Sequence, residues 1–174
     1  MVTCVDKANV FTSFAFFRKI FDERAARHPD IAAERAYVDA TALYLLQRPW
    51  SFDVLVTENM FGDILSDLAA GLIGGMGMAP SADIGDDHAV FQPCHGTAPD
   101  IMGTGRANPA AMILSAAMLL DWLGERHDHQ AAAEAARRIE QAVDRAFAAG
   151  LKPCEMGGRD GTEAIARAVM AALN

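Results

Sequence analysis

"FDVLVTENMFGDILSDLAAGLIGGMG", Phe52 to Gly77, joins two hydrophobic patterns of different period. Phe52 to Thr57 is a short run rich in β-branched residues, the pattern of a buried strand. From Glu58 to Leu72 the apolar residues recur at helical spacing. Gly71 to Gly77 then supplies four glycines as a breaker. A buried strand that feeds directly into a helix is the building unit of α/β proteins, and the rest of the chain repeats it.

Working outward, Val2 to Asp6 alternates apolar and polar residues and reads as a short strand. Its place is odd, because nothing before residue 2 can pair with it. Thr12 to Arg27 reads as a helix with Phe14, Phe17, Phe21 and Ala25 on one face, ended by His28-Pro29. Arg35 to Val38 suits a strand and Ala40 to Gln47 a helix that stops before Pro49. Asn108-Pro109 is a helix start, a side-chain cap followed by proline. That helix is expected to reach about Leu123 and stop at Gly124. His129 to Ala149 and Thr162 to Leu173 complete the set, with Gly150 closing the former. His127 and His129, in a charged segment, read as surface residues.

The totals exclude several function classes. The chain has 174 residues and a formal net charge of −8, which disfavours nucleic acid or an anionic membrane as partner. Its longest apolar runs, such as Ala110 to Leu120, broken by Ser115, are too short to span a bilayer. "MVTCVDKANV" lacks the charged and apolar regions of a secretory signal. Cys4, Cys94 and Cys154 form no Cys-x-x-Cys pair, so a disulfide framework or thiolate zinc site is not expected. These features point to a reducing cytoplasm.

Three places carry potential chemistry. On the Glu58–Leu72 helix, Asn59, Asp63 and Asp67 share one stripe, while Met60, Phe61, Ile64, Leu65 and Leu68 form the opposite side. Such a stripe can be a plain solvated face. Against that, aspartate is a poor interior helix residue, and no cation lies three or four positions away to relieve the repulsion. Two carboxylates one turn apart can instead hold a hard divalent cation. Asp39, where a strand passes into a helix, is a candidate third ligand. Lys7, beside Asn9 in "VDKANV", is a candidate acid–base group or simply an exposed strand-end lysine. "HGTAPDIMGTGRANP", His95 to Pro109, is a glycine-rich shaped loop without the Gly-x-Gly-x-x-Gly of a Rossmann fold. Asp100 within it could accept bonds from ribose hydroxyls, and the helix after it offers free N–H groups.

Taken together, "VDKANV", "YVDATAL", "FDVLVTENMFGDILSDLAAGLIGGMGMAPSA" and "HGTAPDIMGTGRANPAAMILSAAMLL" resemble one family in order and spacing. It is the metal-dependent decarboxylating dehydrogenases of 2-hydroxy acids, whose members act on isopropylmalate, isocitrate, homoisocitrate and tartrate. The resemblance implies an isopropylmalate dehydrogenase-like α/β fold with mixed sheets and flanking helices, not a Rossmann fold. It implies Lys7 as catalytic lysine and Asp39, Asp63 and Asp67 as ligands of Mg²⁺ or Mn²⁺. For NAD it implies Asn9 near the nicotinamide end, His95, Gly96, Thr97, Ala98, Asp100 and Ile101 around the adenosine, and Asn108 as an adenine contact. Where family chains often read Glu-Pro before the histidine loop, this chain has Gln92-Pro93.

The match begins near the middle of a family chain, so the resemblance implies a truncated, C-terminal half. Residues 1–77 would be part of the dimer-forming, metal and substrate domain, and 78–174 part of the cofactor domain. A homodimer is expected, in which Lys7 and Asp39 serve the partner's site, and a separate N-terminal half is a further possible partner. The expected activity is NAD-dependent oxidation and β-decarboxylation of a 2-hydroxy acid, absent from this chain alone. The alternative is a non-catalytic remnant or interaction subunit of such an enzyme.

Overall fold

The computed structural model describes residues 1–173. It divides into two compact units, Met1–Leu72 and a second that begins at Ile73.

The first unit is built on a three-stranded parallel sheet in the order β2-β1-β3, with β1 Val2–Asp6, β2 Ala33–Tyr37 and β3 Val54–Val56. The strand that begins at residue 2 is therefore the central one. Both of its partners come later in the chain: Val2 is in register with Ala33 on one side and with Val54 on the other. Helices α1 (Thr12–Ala25) and α2 (Val38–Gln47) make the crossovers that parallel pairing requires. Helix α3 (Asn59–Leu72) follows β3. Side chains alternate across the sheet. Val5 packs with Leu45 of α2 and Leu65 of α3, while Asp6, on the other face, meets Arg18 of α1. The phenylalanine face expected on α1 is its half-buried side, and Phe14 stacks on Phe61 of α3 at 4.9 Å between ring centres.

The apolar side expected of α3 is divided. Leu65 and Ala70 are buried, but Met60 and Ile64 are more than half exposed, because one helix face cannot meet the sheet over so wide an arc.

The second unit opens with a hairpin that the sequence reading did not contain: β4 Pro80–Ile84 paired antiparallel with β5 Ala89–Pro93. Helix α4 (Ala110–His127) packs on both strands and along α5 (Gln130–Ala148), which in turn packs on α6 (Thr162–Leu173). Ala142, Val143, Ala146 and Val169 form its core. Two boundaries expected from sequence move. Asn108 does cap α4, accepting the Ala110 N–H at 3.0 Å. Gly124, however, does not end that helix. It lies inside α4 where α5 comes close: a Cβ there would stand 2.9 Å from the Ala133 N and Cβ. The helix ends instead at Asp128, in the left-handed conformation, and the His129 ring caps α5 by accepting the Ala132 N–H. No helix among the described residues is long and apolar enough to cross a membrane.

Candidate active site

At the carboxyl end of the central strand, Asp6 is fully buried. Its carboxylate takes two hydrogen bonds from Arg18, each at 2.7 Å, and one from the Ala8 N–H at 2.8 Å. These bonds fix the direction in which the chain leaves the sheet. Lys7, next in sequence, is thereby delivered to the sheet's end, the usual ligand position in open α/β sheets. The Lys7 Nζ donates to the Asp39 Oδ1 at 2.6 Å, and Asp39 sits in the first turn of α2. The Lys7 bond, then the backbone N–H groups of Asp39 and Ala40, hold its carboxyl below the usual range. The Tyr37 ring lies beneath both cations, 5.1 Å from the Arg18 guanidinium and 6.0 Å from the Lys7 ammonium.

Asp63 and Asp67 stand one turn apart on the exposed side of α3, and no ion pair among the described residues engages either. Two oxygen donors at this spacing suit Mg²⁺ or Mn²⁺. Within one chain, however, no three His, Cys, Asp or Glu side chains of the described residues are gathered into a metal-holding group. Asp39 is paired with Lys7 rather than gathered with Asp63 and Asp67. Asn9 is exposed on the turn after β1.

The second unit contains a cavity of about 520 Å³ lined by His95, Gly96, Thr97, Ala98, Ile101 and Asn108, together with Glu155 and Thr162. Asp100 lies beside it on the short turn Pro99–Ile101 and is exposed. Ala98 adopts a left-handed conformation, φ 44°, which costs an L-residue roughly 1–2 kcal/mol. Such strain is commonest where a loop is shaped for a ligand. The His95 Nδ1 lies 2.9 Å from the Gly96 carbonyl, an acceptor only, so that nitrogen carries the proton. Thr162 at the start of α6 ties down the far end of the loop. Its N–H donates to the Gly105 carbonyl at 2.8 Å and its hydroxyl to the Ala107 carbonyl.

Arg18, Tyr37, Glu155 and Thr162 were not singled out from sequence. Arg18 is twelve residues from Asp6 and lies on a helix whose phenylalanines are the visible pattern. Glu155 sits in "PCEMGG", whose proline and glycines do signal a shaped loop without showing what it faces.

The family profile described as isocitrate/isopropylmalate dehydrogenase matches residues 1–169. The 3-isopropylmalate/3-methylmalate dehydrogenase of Methanocaldococcus jannaschii is 48% identical over 169 residues, 97% of this chain and 49% of that protein. The isocitrate/homoisocitrate dehydrogenase of Thermus thermophilus is 51% identical over 168 residues, 96% of this chain and 48% of that protein. The crystal structure of isocitrate dehydrogenase from Methylococcus capsulatus superposes with a TM-score of 0.89 at 44% identity. It is covered over 50% of its length by 99% of this chain. The chain thus spans about half the length of the curated relatives it matches.

Proposed function

Because the chain belongs to the isocitrate/isopropylmalate dehydrogenase family, we propose that it carries part of the site of an NAD-dependent, divalent-metal-dependent dehydrogenase. That enzyme oxidises and β-decarboxylates a 2-hydroxy acid, 3-isopropylmalate or a related malate- or tartrate-type substrate. One observation carries the reading above the others. Lys7 and Asp39, 32 residues apart, meet at 2.6 Å at the carboxyl end of the central parallel strand.

In this reading Lys7, as the neutral amine left when Asp39 is given over to the metal, takes the proton of the substrate hydroxyl as the C2 hydride passes to the nicotinamide, leaving a 2-oxo acid. The β-carboxylate then departs as CO₂, and its bonding electrons pass toward the new carbonyl. Asp63 and Asp67, with Asp39 from a second protomer of a homodimer, are the carboxylates that would hold Mg²⁺ or Mn²⁺. When bound, the cation supplies Lewis-acid stabilisation of negative charge on the substrate oxygens. His95 to Ile101 and Asn108 enclose the adenosine of NAD, while Asn9 lies toward the nicotinamide. Asp100 favours NAD over NADP, because a 2′-phosphate beside it would meet like charge.

Mn²⁺ relaxation on the chain and on Asp63→Asn tests the metal half. Weak binding is expected, with several waters kept on the ion, and it should be lost in the variant. Unchanged binding would put the ion elsewhere. For the chemistry, the chain is joined behind the first half of the Methanocaldococcus jannaschii relative, and NADH formation is followed with 3-isopropylmalate, malate and tartrate. Turnover that Lys7→Ala abolishes, with kcat/KM higher for NAD than NADP, is the expected result. A folded chimera inactive on all three substrates would overturn the catalytic reading.

A further inference from the structure

Glu155 is the one carboxylate among the residues that line the cavity, and its contacts are unusual for a carboxylate. No ion pair among the described residues reaches it. Its Oε1 accepts from the Asn108 Nδ2 at 2.7 Å, and its Oε2 accepts from the Gly77 N–H at 3.2 Å. Both donors are neutral.

The bond to Asn108 decides the orientation of that amide. A carboxylate only accepts, so the NH₂ of Asn108 must face Glu155 and its oxygen must face the start of α4. The oxygen does so, taking the Ala110 N–H at 3.0 Å. The Asn108 side chain is therefore engaged at both ends within the protein, and it cannot turn into the cavity without breaking both bonds. The bond to Gly77 explains that glycine. A Cβ at residue 77 would stand 2.5 Å from the Glu155 Oε1 and 2.9 Å from the Asn108 Cβ. Residue 77 is open so that the carboxylate can reach its N–H.

The base from which Glu155 reaches is itself held. Pro153 is fully buried. The Gly158 N–H returns to the Pro153 carbonyl at 2.9 Å, and Asp160 bonds Lys152 from both its N–H and its carboxylate. A carboxylate in direct contact with a phosphorylated ligand would repel it. One that is committed to two neutral donors on adjoining parts of the cavity lining acts on the shape of that lining instead.

We propose that Glu155 is a positioning residue for nucleotide binding. It clamps the Asn108 amide to the adjoining Gly77 backbone, so that this part of the adenosine cavity's wall is set before the ligand arrives. This rests on the reading of the cavity as the adenosine site. Pre-setting that part of the wall removes an ordering cost from binding, so the effect falls on affinity for the adenosine end.

The experiment uses the chain with AMP and NADH as probes, by calorimetry and by NADH fluorescence. Glu155→Gln keeps the size but places an NH₂ against one of the two donors. It should weaken AMP and NADH alike, by roughly tenfold, the loss of one charge-assisted hydrogen bond. The Asn108 side-chain amide resonances in ¹H–¹⁵N spectra should move upfield at the same time, a change that a general loss of stability would not produce. Glu155→Asp, whose carboxylate is one methylene short and reaches one donor at most, should also weaken both probes, and it carries the test should the glutamine variant not fold. AMP affinity within twofold of the parent in either folded variant overturns the positioning role alone. Failure of the unaltered chain to bind AMP or NADH overturns the adenosine reading, and this inference with it.

Discussion

At the scale of single residues, the decisive arrangement is the buried Asp6 and its fork from Arg18. Both Asp6 oxygens are used, and the pair sets the exit of β1 from which Lys7 projects. Arg18→Ala strands a carboxylate with no counter-charge, so a loss of roughly 3–5 kcal/mol is expected by chemical denaturation. Arg18→Lys should recover only part, because one ammonium cannot match both oxygens. A loss no larger than that of an exposed pair, about 1 kcal/mol, would sink the claim. Cys4 lies on the same face of β1, its Sγ 3.7 Å from the Asp6 Oδ2. Burial, and then the neighbouring carboxylate, push its thiol from 9.0 up to about 12. The sign follows from proton uptake. Above pH 9 the unfolded chain loses this proton while the folded chain keeps it, so stability is full below pH 9 and declines toward pH 12. Unfolding free energies from pH 8 to 11 should fall more steeply for the parent than for Cys4→Ala, and parallel curves would count against it. None of this was legible in the sequence. Lys7 and Asp39 could be nominated separately from their residue types, but the 2.6 Å contact between them depends on the register of β1 with β2.

At the scale of elements, helices were legible because their period is local, and strand partners were not. The β4–β5 hairpin escaped because both strands carry proline at a terminus and β4 holds an aspartate, so neither shows a clean apolar alternation. Gly124 shows the opposite error, a glycine that reads as punctuation and is in fact a contact. Whether a glycine ends a helix or admits a neighbour is decided by what lies opposite, here the backbone of α5. Gly124→Ala must push α5 away from α4 or strain Ala133, since the nearest atoms belong to the main chain as well as to a methyl. A loss of roughly 1–3 kcal/mol is expected, visible as a lower Tm. Gly103→Ala is the control for glycine removal in general: its surroundings are open, and only its positive φ of 74° opposes a side chain. A Gly124→Ala variant as stable as the parent would show that the two helices slide freely.

At the scale of the whole molecule, the first unit leaves large apolar side chains uncovered, among them Phe16 at 65% and Trp50 at 81% exposure. Its parallel sheet has three strands, and β2 and β3 each have one neighbour. Open sheet edges and apolar faces of this kind call for a covering surface. A polypeptide of these 174 residues alone should therefore self-associate, with apparent mass in sedimentation rising as concentration increases. It should also show no dehydrogenase turnover. In the proposed reading, Lys7 would supply the base, and Asp39, Asp63 and Asp67 the oxygen ligands. Arg18, the arginine at this end of the sheet, is committed to Asp6 through its Nε and one Nη. A di-acid substrate needs charge-assisted, bidentate contacts to hold its carboxylates in a reactive pose, and effective positioning is worth many orders of magnitude in rate. With 3-isopropylmalate, malate or tartrate, Mn²⁺ and NAD present, NADH should stay at background with this polypeptide and appear once the first half of a relative is joined to it. Steady NADH formation by the 174 residues alone would mean that they grip the substrate through groups other than free arginines, and the division of labour proposed for Lys7 and the aspartates would have to be redrawn around those groups.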